Sequence, residues 1–174
     1  MNILFKLACY FKMPAMVAFS SNGRFEEFFL LIIKDKIKVS KDKEFSSPFK
    51  NDVLLFDGNA PFKYSQKPIL VLNNGDDMLS DFPSNGFVIT DFSKSRNIDG
   101  SFTVNSVGFT DSSSLWISDN SDNNFKINYG GDSVPFWTSN SLKQEELIDL
   151  LLAIRVSMIL GLNLVEISQS LDNL

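Results

Sequence analysis

The stretch LKQEELIDLLLAIRVSMILGLNLVEISQSL, Leu142 to Leu171, is the most legible part of this chain. Residues 142 to 160 read as a helix. Gly161 supplies its stop, because glycine accepts the left-handed backbone that commonly ends helices. Asn163-Leu-Val-Glu166 then fits a capping box, in which a side chain at each end satisfies a free backbone N–H. That box opens a last helix running to about residue 173.

Moving toward the N-terminus, residues Ser101 to Phe136 alternate apolar and polar side chains. Alternation runs through Phe102 to Phe109, Leu115-Trp-Ile117 and Phe125 to Tyr129. Serine, aspartate, asparagine and glycine clusters separate the runs, which predicts antiparallel hairpins with one wet face. Ser118 to Asn124 reads as a loop between two of these strands. Before residue 100 the pattern differs. Ala15 to Phe19, Val53 to Phe56, Pro68 to Leu72 and Phe87 to Thr90 are short continuous apolar runs, the form of strands buried on both faces of a parallel sheet. Lys36 to Ser40 is a further strand candidate, and residues 78 to 83 a helical turn. Ser20-Ser-Asn-Gly-Arg24 is a turn after the first strand. Phe25 to Ile33 then reads as a helix with Glu26 and Glu27 in its first turn, where the helix dipole favours negative charge. Residues 2 to 12 read as a short amphipathic helix ended by Pro14.

Composition narrows the function. With 174 residues and 44% hydrophobic side chains, one packed domain is expected over 1–174, its first part spanning 1–72 and its second 73–174. A net charge of −5 argues against nucleic-acid binding. The one basic concentration, Lys34, Lys36, Lys38, Lys41 and Lys43, reads as a solvated helix end and strand. The absence of histidine removes Ser-His and Cys-His nucleophilic sites and every His-ligated metal. Cys9, the one cysteine, lies in an apolar run and reads as an inert buried thiol. No apolar run approaches the length of a membrane span, so a cytoplasmic location is expected.

The helix pair around Leu160-Gly161 and Val165-Glu-Ile167 resembles the one that closes the central domain of the Mur ligases. The likeness is nearest to the ligases that add D-alanyl-D-alanine to a UDP-muramyl tripeptide. Val71-Leu-Asn-Asn-Gly-Asp-Asp77 is similar to a turn of that family, and Phe87 to Thr90 to the strand after it. Pro14 to Phe25 resembles the family's strand and P-loop. The fold implied is an α/β, reduced P-loop-type domain: a mostly parallel sheet flanked by helices, plus a small antiparallel hairpin segment.

The resemblance also implies candidate cofactor-binding residues: Ser20, Ser21, Asn22, Gly23 and Arg24 in the loop, and Asn74 (or Asn73) near a nucleotide base. Family P-loops end glycine-lysine-threonine, where backbone N–H groups cradle phosphate, the lysine pairs with it and the hydroxyl binds Mg²⁺. Here Arg24 stands in the lysine position and Phe25 in the threonine position, and the first glycine is lacking. Arginine is a wide planar fork rather than a point charge, and phenylalanine binds no metal. Asp76 and Asp77 read as turn caps, and Gln144 falls near a nucleotide contact of the family. The family's magnesium-binding glutamate, modified lysine, histidine-containing turn and C-terminal domain find no counterpart. The expectation is therefore a degenerate Mur-ligase-like protein, a non-catalytic binding module or pseudoenzyme linked to peptidoglycan precursor synthesis, with no catalytic residues. The alternatives are an ATP-dependent ligase or nucleotide-binding protein using Arg24 in place of lysine, and a divergent remnant. ATP and Mg²⁺ are expected only if the loop functions. Strands 53–56 and 68–72 call for burial on both faces, so a shortened sheet with fewer covering helices and an unprotected edge, together with the apolar surface of the closing helices, predicts self-association or a partner such as a complete Mur ligase.

Overall fold

The computed structural model describes residues 14–20, 23–41, 53–72, 79–95, 98, 101–121 and 123–171. The expected N-terminal helix, Cys9, Ser21, Asn22, Asn73, Asn74, Asp76 and Asp77 lie outside the described residues. Nine strands form one sheet: β1 (Ala15–Phe19), β2 (Val39–Lys41), β3 (Val53–Asp57), β4 (Lys67–Leu72), β5 (Phe87–Asp91), β6 (Thr103–Gly108), β7 (Leu115–Ser121), β8 (Asn124–Tyr129) and β9 (Asp132–Trp137). Their order is β2-β3-β1-β4-β5-β6-β7-β8-β9. Pairing is parallel from β2 through β7 and antiparallel from β7 through β9. Among the described residues the α-helices are α1 (Phe25–Ile33), α2 (Phe92–Ser95), α3 (Gln144–Ile159) and α4 (Leu164–Leu171).

The continuous apolar runs sit where burial on both faces demands them. Along β4, Ile69 joins the cluster under α1, α3 and α4, while its neighbour Leu70 joins a second cluster on the opposite face. Both are fully buried. Among the described residues that second face is covered by turns: Phe62 of a 3-10 turn at Phe62–Tyr64, Phe82, and the partly buried Leu79, Ile98 and Phe102. Phe62 and Phe82 meet edge to face, 4.8 Å between ring centres. The strands 53–56 and 68–72 are thus buried on both faces.

On the helical face, Phe25, Phe28, Phe29, Ile32 and Ile33 of α1 pack with the leucine-rich side of α3 and with Leu164, Ile167 and Leu171 of α4. The capping box of α4 forms as expected. The Asn163 backbone N–H donates to Glu166 Oε2 at 2.9 Å, and the Glu166 backbone N–H donates to Asn163 Oδ1 at 2.9 Å. Lys36, from the basic stretch, donates to the Glu166 carbonyl at 2.6 Å and so ties the end of α1 to α4.

Three expectations for the second half need correction. The run Phe102 to Phe109 is not part of a hairpin: β6 lies parallel to β5 and touches β7 over only two residue pairs, also in parallel. Thr103 at its start is exposed, but the next two polar residues do not face water. Buried Asn105 accepts from Arg155, through Nε at 3.1 Å and Nη2 at 2.6 Å, and buried Ser106 accepts from the Ser114 backbone N–H. The tract 118–124 is largely strand rather than loop, since β7 continues to Ser121 and β8 begins at Asn124. An irregularity in the pairing between Ser118 and Ser121, with Asp119 at φ 50°, absorbs the turn-forming residues. β9, finally, gives little sequence signal because Pro135 interrupts it. Its hairpin with β8 is closed by Gly130 and Gly131, both at positive φ, the geometry that a two-residue hairpin loop requires.

Candidate functional site

The loop singled out by sequence follows β1 at the carboxyl end of the parallel sheet, the side on which open α/β sheets place their ligands. Ser20 follows the last β1 residue, and Gly23 and Arg24 lead into α1. Gly23 adopts φ 113°, a conformation costly for any residue with a Cβ. A Cβ there would also strike the carboxylate of Asp149, which projects from α3. The backbone N–H of Arg24 donates to Asp149 Oδ2 at 2.8 Å. Asp149 itself is only 4% exposed.

The Arg24 side chain is held by three groups. Nε and Nη2 donate to the two oxygens of Glu27 at 2.8 and 2.6 Å, a bidentate pair one helical turn away. Nη1 donates to Glu146 of α3 at 2.8 Å, and the guanidinium carbon stands 4.6 Å from the ring centre of Phe28. These contacts move all three ionisations. The Glu27 and then the Glu146 hydrogen bonds push Arg24 further above its already high value. Arg24 holds the Glu27 carboxyl below the usual range. Glu146 is lowered first by the backbone N–H of Lys143 and then by Arg24. Phe25 is a core residue, stacked on Phe29 at 5.7 Å and tilted against Phe19 at 5.3 Å.

The first turns of α3 also border an open cleft of about 680 Å³ at the carboxyl ends of β5 and β6, within the usual ligand-pocket range. Asp91, Phe92, Gly108, Lys143, Gln144 and Glu145 are among its walls. Alternate sides of one helical end therefore serve two places, with Glu146 and Asp149 on the loop and Gln144 and Glu145 on the cleft. Gln144 thus lies in a concave surface, while Asn74 lies outside the described residues. Among the described residues no group of three or more His, Cys, Asp or Glu side chains is placed to hold a metal. No helix among them is long and apolar enough to cross a membrane.

Sequence reasoning missed the partners of Arg24. Glu27 was within reach, because residues three apart share a helix face. Glu146 and Asp149 were not, being 122 and 125 residues away in the chain. Their only signal was a carboxylate, Asp149, set inside a run of leucines.

This architecture is that of the Mur ligases. The chain superposes on MurF from Acinetobacter baumannii with a TM-score of 0.68 at 11% identity, over 97% of this chain and 47% of that one. MurF from Thermotoga maritima, solved in complex with ADP, matches with a TM-score of 0.65 at 12% identity, over 96% of this chain and 52% of that one. The murein peptide ligase Mpl from Psychrobacter arcticus gives 0.66 at 14% identity over 92% of this chain. The chain spans about half the length of these solved structures. By sequence, no family model and no curated protein matches it. At such identities the likeness defines the fold: a nine-stranded, mostly parallel sheet with the Mur-ligase arrangement.

Proposed function

We propose that this chain is a non-catalytic, Mur-ligase-like binding module, a pseudoenzyme linked to peptidoglycan precursor synthesis. The observation that carries the reading is the state of Arg24. Phosphoryl transfer depends on positive charge and Mg²⁺ positioned around the transferred group. Arg24 is the cation at the loop, and its guanidinium is taken by Glu27 and Glu146. Phe25 offers no oxygen to a metal and cannot be moved without opening the core. The expected outcome is no phosphate release above background when the protein is mixed with UDP-muramyl tripeptide, D-alanyl-D-alanine, ATP and magnesium. Turnover in that mixture would overturn the reading.

A second reading, a nucleotide-binding protein, is favoured by the cleft beside Gln144. One charge-assisted contact contributes about 1.5–3 kcal/mol, which does not replace a full phosphate cradle. ATP binding measured by calorimetry is expected to be no tighter than high micromolar. If binding does occur, Arg24→Ala should weaken it where the loop is the contact and leave it unchanged where the cleft is.

A further inference from the structure

We propose that Asp149 is an internal anion that closes the loop between β1 and α1, so that the chain's own carboxylate stands where an incoming phosphate would have to sit. The proposal rests on the reading above, in which this loop corresponds to a phosphate cradle. It concerns the backbone side of the loop, whereas that reading rests on the side chain of Arg24.

Three observations converge on it. The first is burial. A carboxylate 4% exposed, on the leucine-rich helix α3, is costly unless the surrounding groups stabilise its charge. The second is what it meets. Asp149 Oδ2 accepts the Arg24 backbone N–H at 2.8 Å, at the start of a nine-residue helix that has no side-chain cap of its own. Free N–H groups and the helix dipole make that position favourable for negative charge. The third is space. The missing Cβ of Gly23 leaves the volume that the carboxylate fills, so that the two backbones and the acid form one closed contact. An external phosphate would have to displace Asp149 from the N–H and pass Glu27 and Glu146, which hold the guanidinium from the solvent side. Repulsion between like charges adds to the steric block.

The contact has a direct signature. In the full chain labelled with ¹⁵N and ¹³C, a through-hydrogen-bond coupling is expected between the Arg24 amide nitrogen and the Asp149 carboxyl carbon, together with slow exchange of that amide. Inorganic pyrophosphate added to the wild type should leave the Gly23 and Arg24 amide signals in place. Asp149→Asn keeps an acceptor oxygen and removes the charge. Pyrophosphate should then shift those two signals, with an affinity gain of at least about tenfold, or 1.4 kcal/mol. Glu146→Gln, which leaves Asp149 in position, should stay silent. A folded Asp149→Asn that ignores pyrophosphate sinks the proposal while leaving the non-catalytic reading intact. An absent coupling with a rapidly exchanging Arg24 amide sinks it without recourse to any variant. Ligase turnover by the wild type would bring down the non-catalytic reading itself.

Discussion

The two ends of the sheet solve the problem of burial differently. From β3 to β5 each strand is buried on both faces, by helices on one side and aromatic turns on the other. From β7 to β9 only the helical face is dry: Leu115, Ile117, Phe125, Ile127 and Phe136 point inward, while Asn124, Lys126, Ser133 and Trp137 are exposed. The first arrangement makes the successive central residues of a strand part of a core, and the second makes only alternate residues so. The difference teaches that strand position, more than strand composition, sets how a substitution is felt.

The largest effect should come from the doubly buried region. Ile69→Ala and Leu70→Ala empty opposite faces of β4, and each should lose about 2–5 kcal/mol in chemical denaturation. If Leu70→Ala proves nearly neutral, the turn-covered face is not a true core and the comparison breaks. Next in size is Arg155, which links β6, the strand between the two regions, to β8. It donates to Asn105 on β6 and stacks 4.5 Å from the ring centre of Tyr129 on β8. Arg155→Ala should cost about 1.5–3 kcal/mol, by losing a charged hydrogen bond and leaving buried Asn105 without that donor. A double-mutant cycle with Tyr129→Leu would isolate the ring's share.

The loop gives a pH-dependent effect of smaller size. The carboxyls of Glu27 and Glu146 lie below their ordinary values in the folded chain. They therefore contribute stability that is present above the ordinary carboxylate range and lost as pH falls through their folded values. Arg24→Gln should bring both titrations, followed by carboxyl ¹³C shifts, back toward the ordinary range and flatten the acid limb of the stability curve. Unchanged titrations would mean that Arg24 does not hold these carboxylates. The smallest effect belongs to the open face. Lys126→Ala removes an exposed pair with Asp119 and should stay within about 0.5 kcal/mol of wild type.

Much of this arrangement could be read in the sequence, for local reasons. Gly161 and the Asn163–Glu166 box fix α3 and α4 within a few residues, and the apolar runs locate β1, β3, β4 and β5 within one residue at either end. The misreadings share a cause. Asn105 and Ser106 look like solvent-facing positions because nothing nearby in the chain shows that Arg155 and Ser114 complete them. In the same way nothing near the loop in sequence shows that α3 brings Glu146 and Asp149 against it. Local signals place elements, and partners distant in sequence decide what a loop does.

The edge strand β9 also bears on behaviour at high concentration. Residues 129 and 132 face each other across the glycine turn, and counting pairs along β8 and β9 turns the backbone of Pro135 outward, away from β8. At that place proline has no N–H to offer, and its carbonyl oxygen accepts the hydroxyl of Ser168 from α4. A foreign strand laid along this border finds one donor missing and one acceptor occupied. Growth of the sheet from molecule to molecule, the first step toward a fibre, is interrupted at the middle of β9. Pro135→Val together with Ser168→Ala should therefore shorten the lag before aggregation on gentle heating, with little change in the fold of the isolated chain.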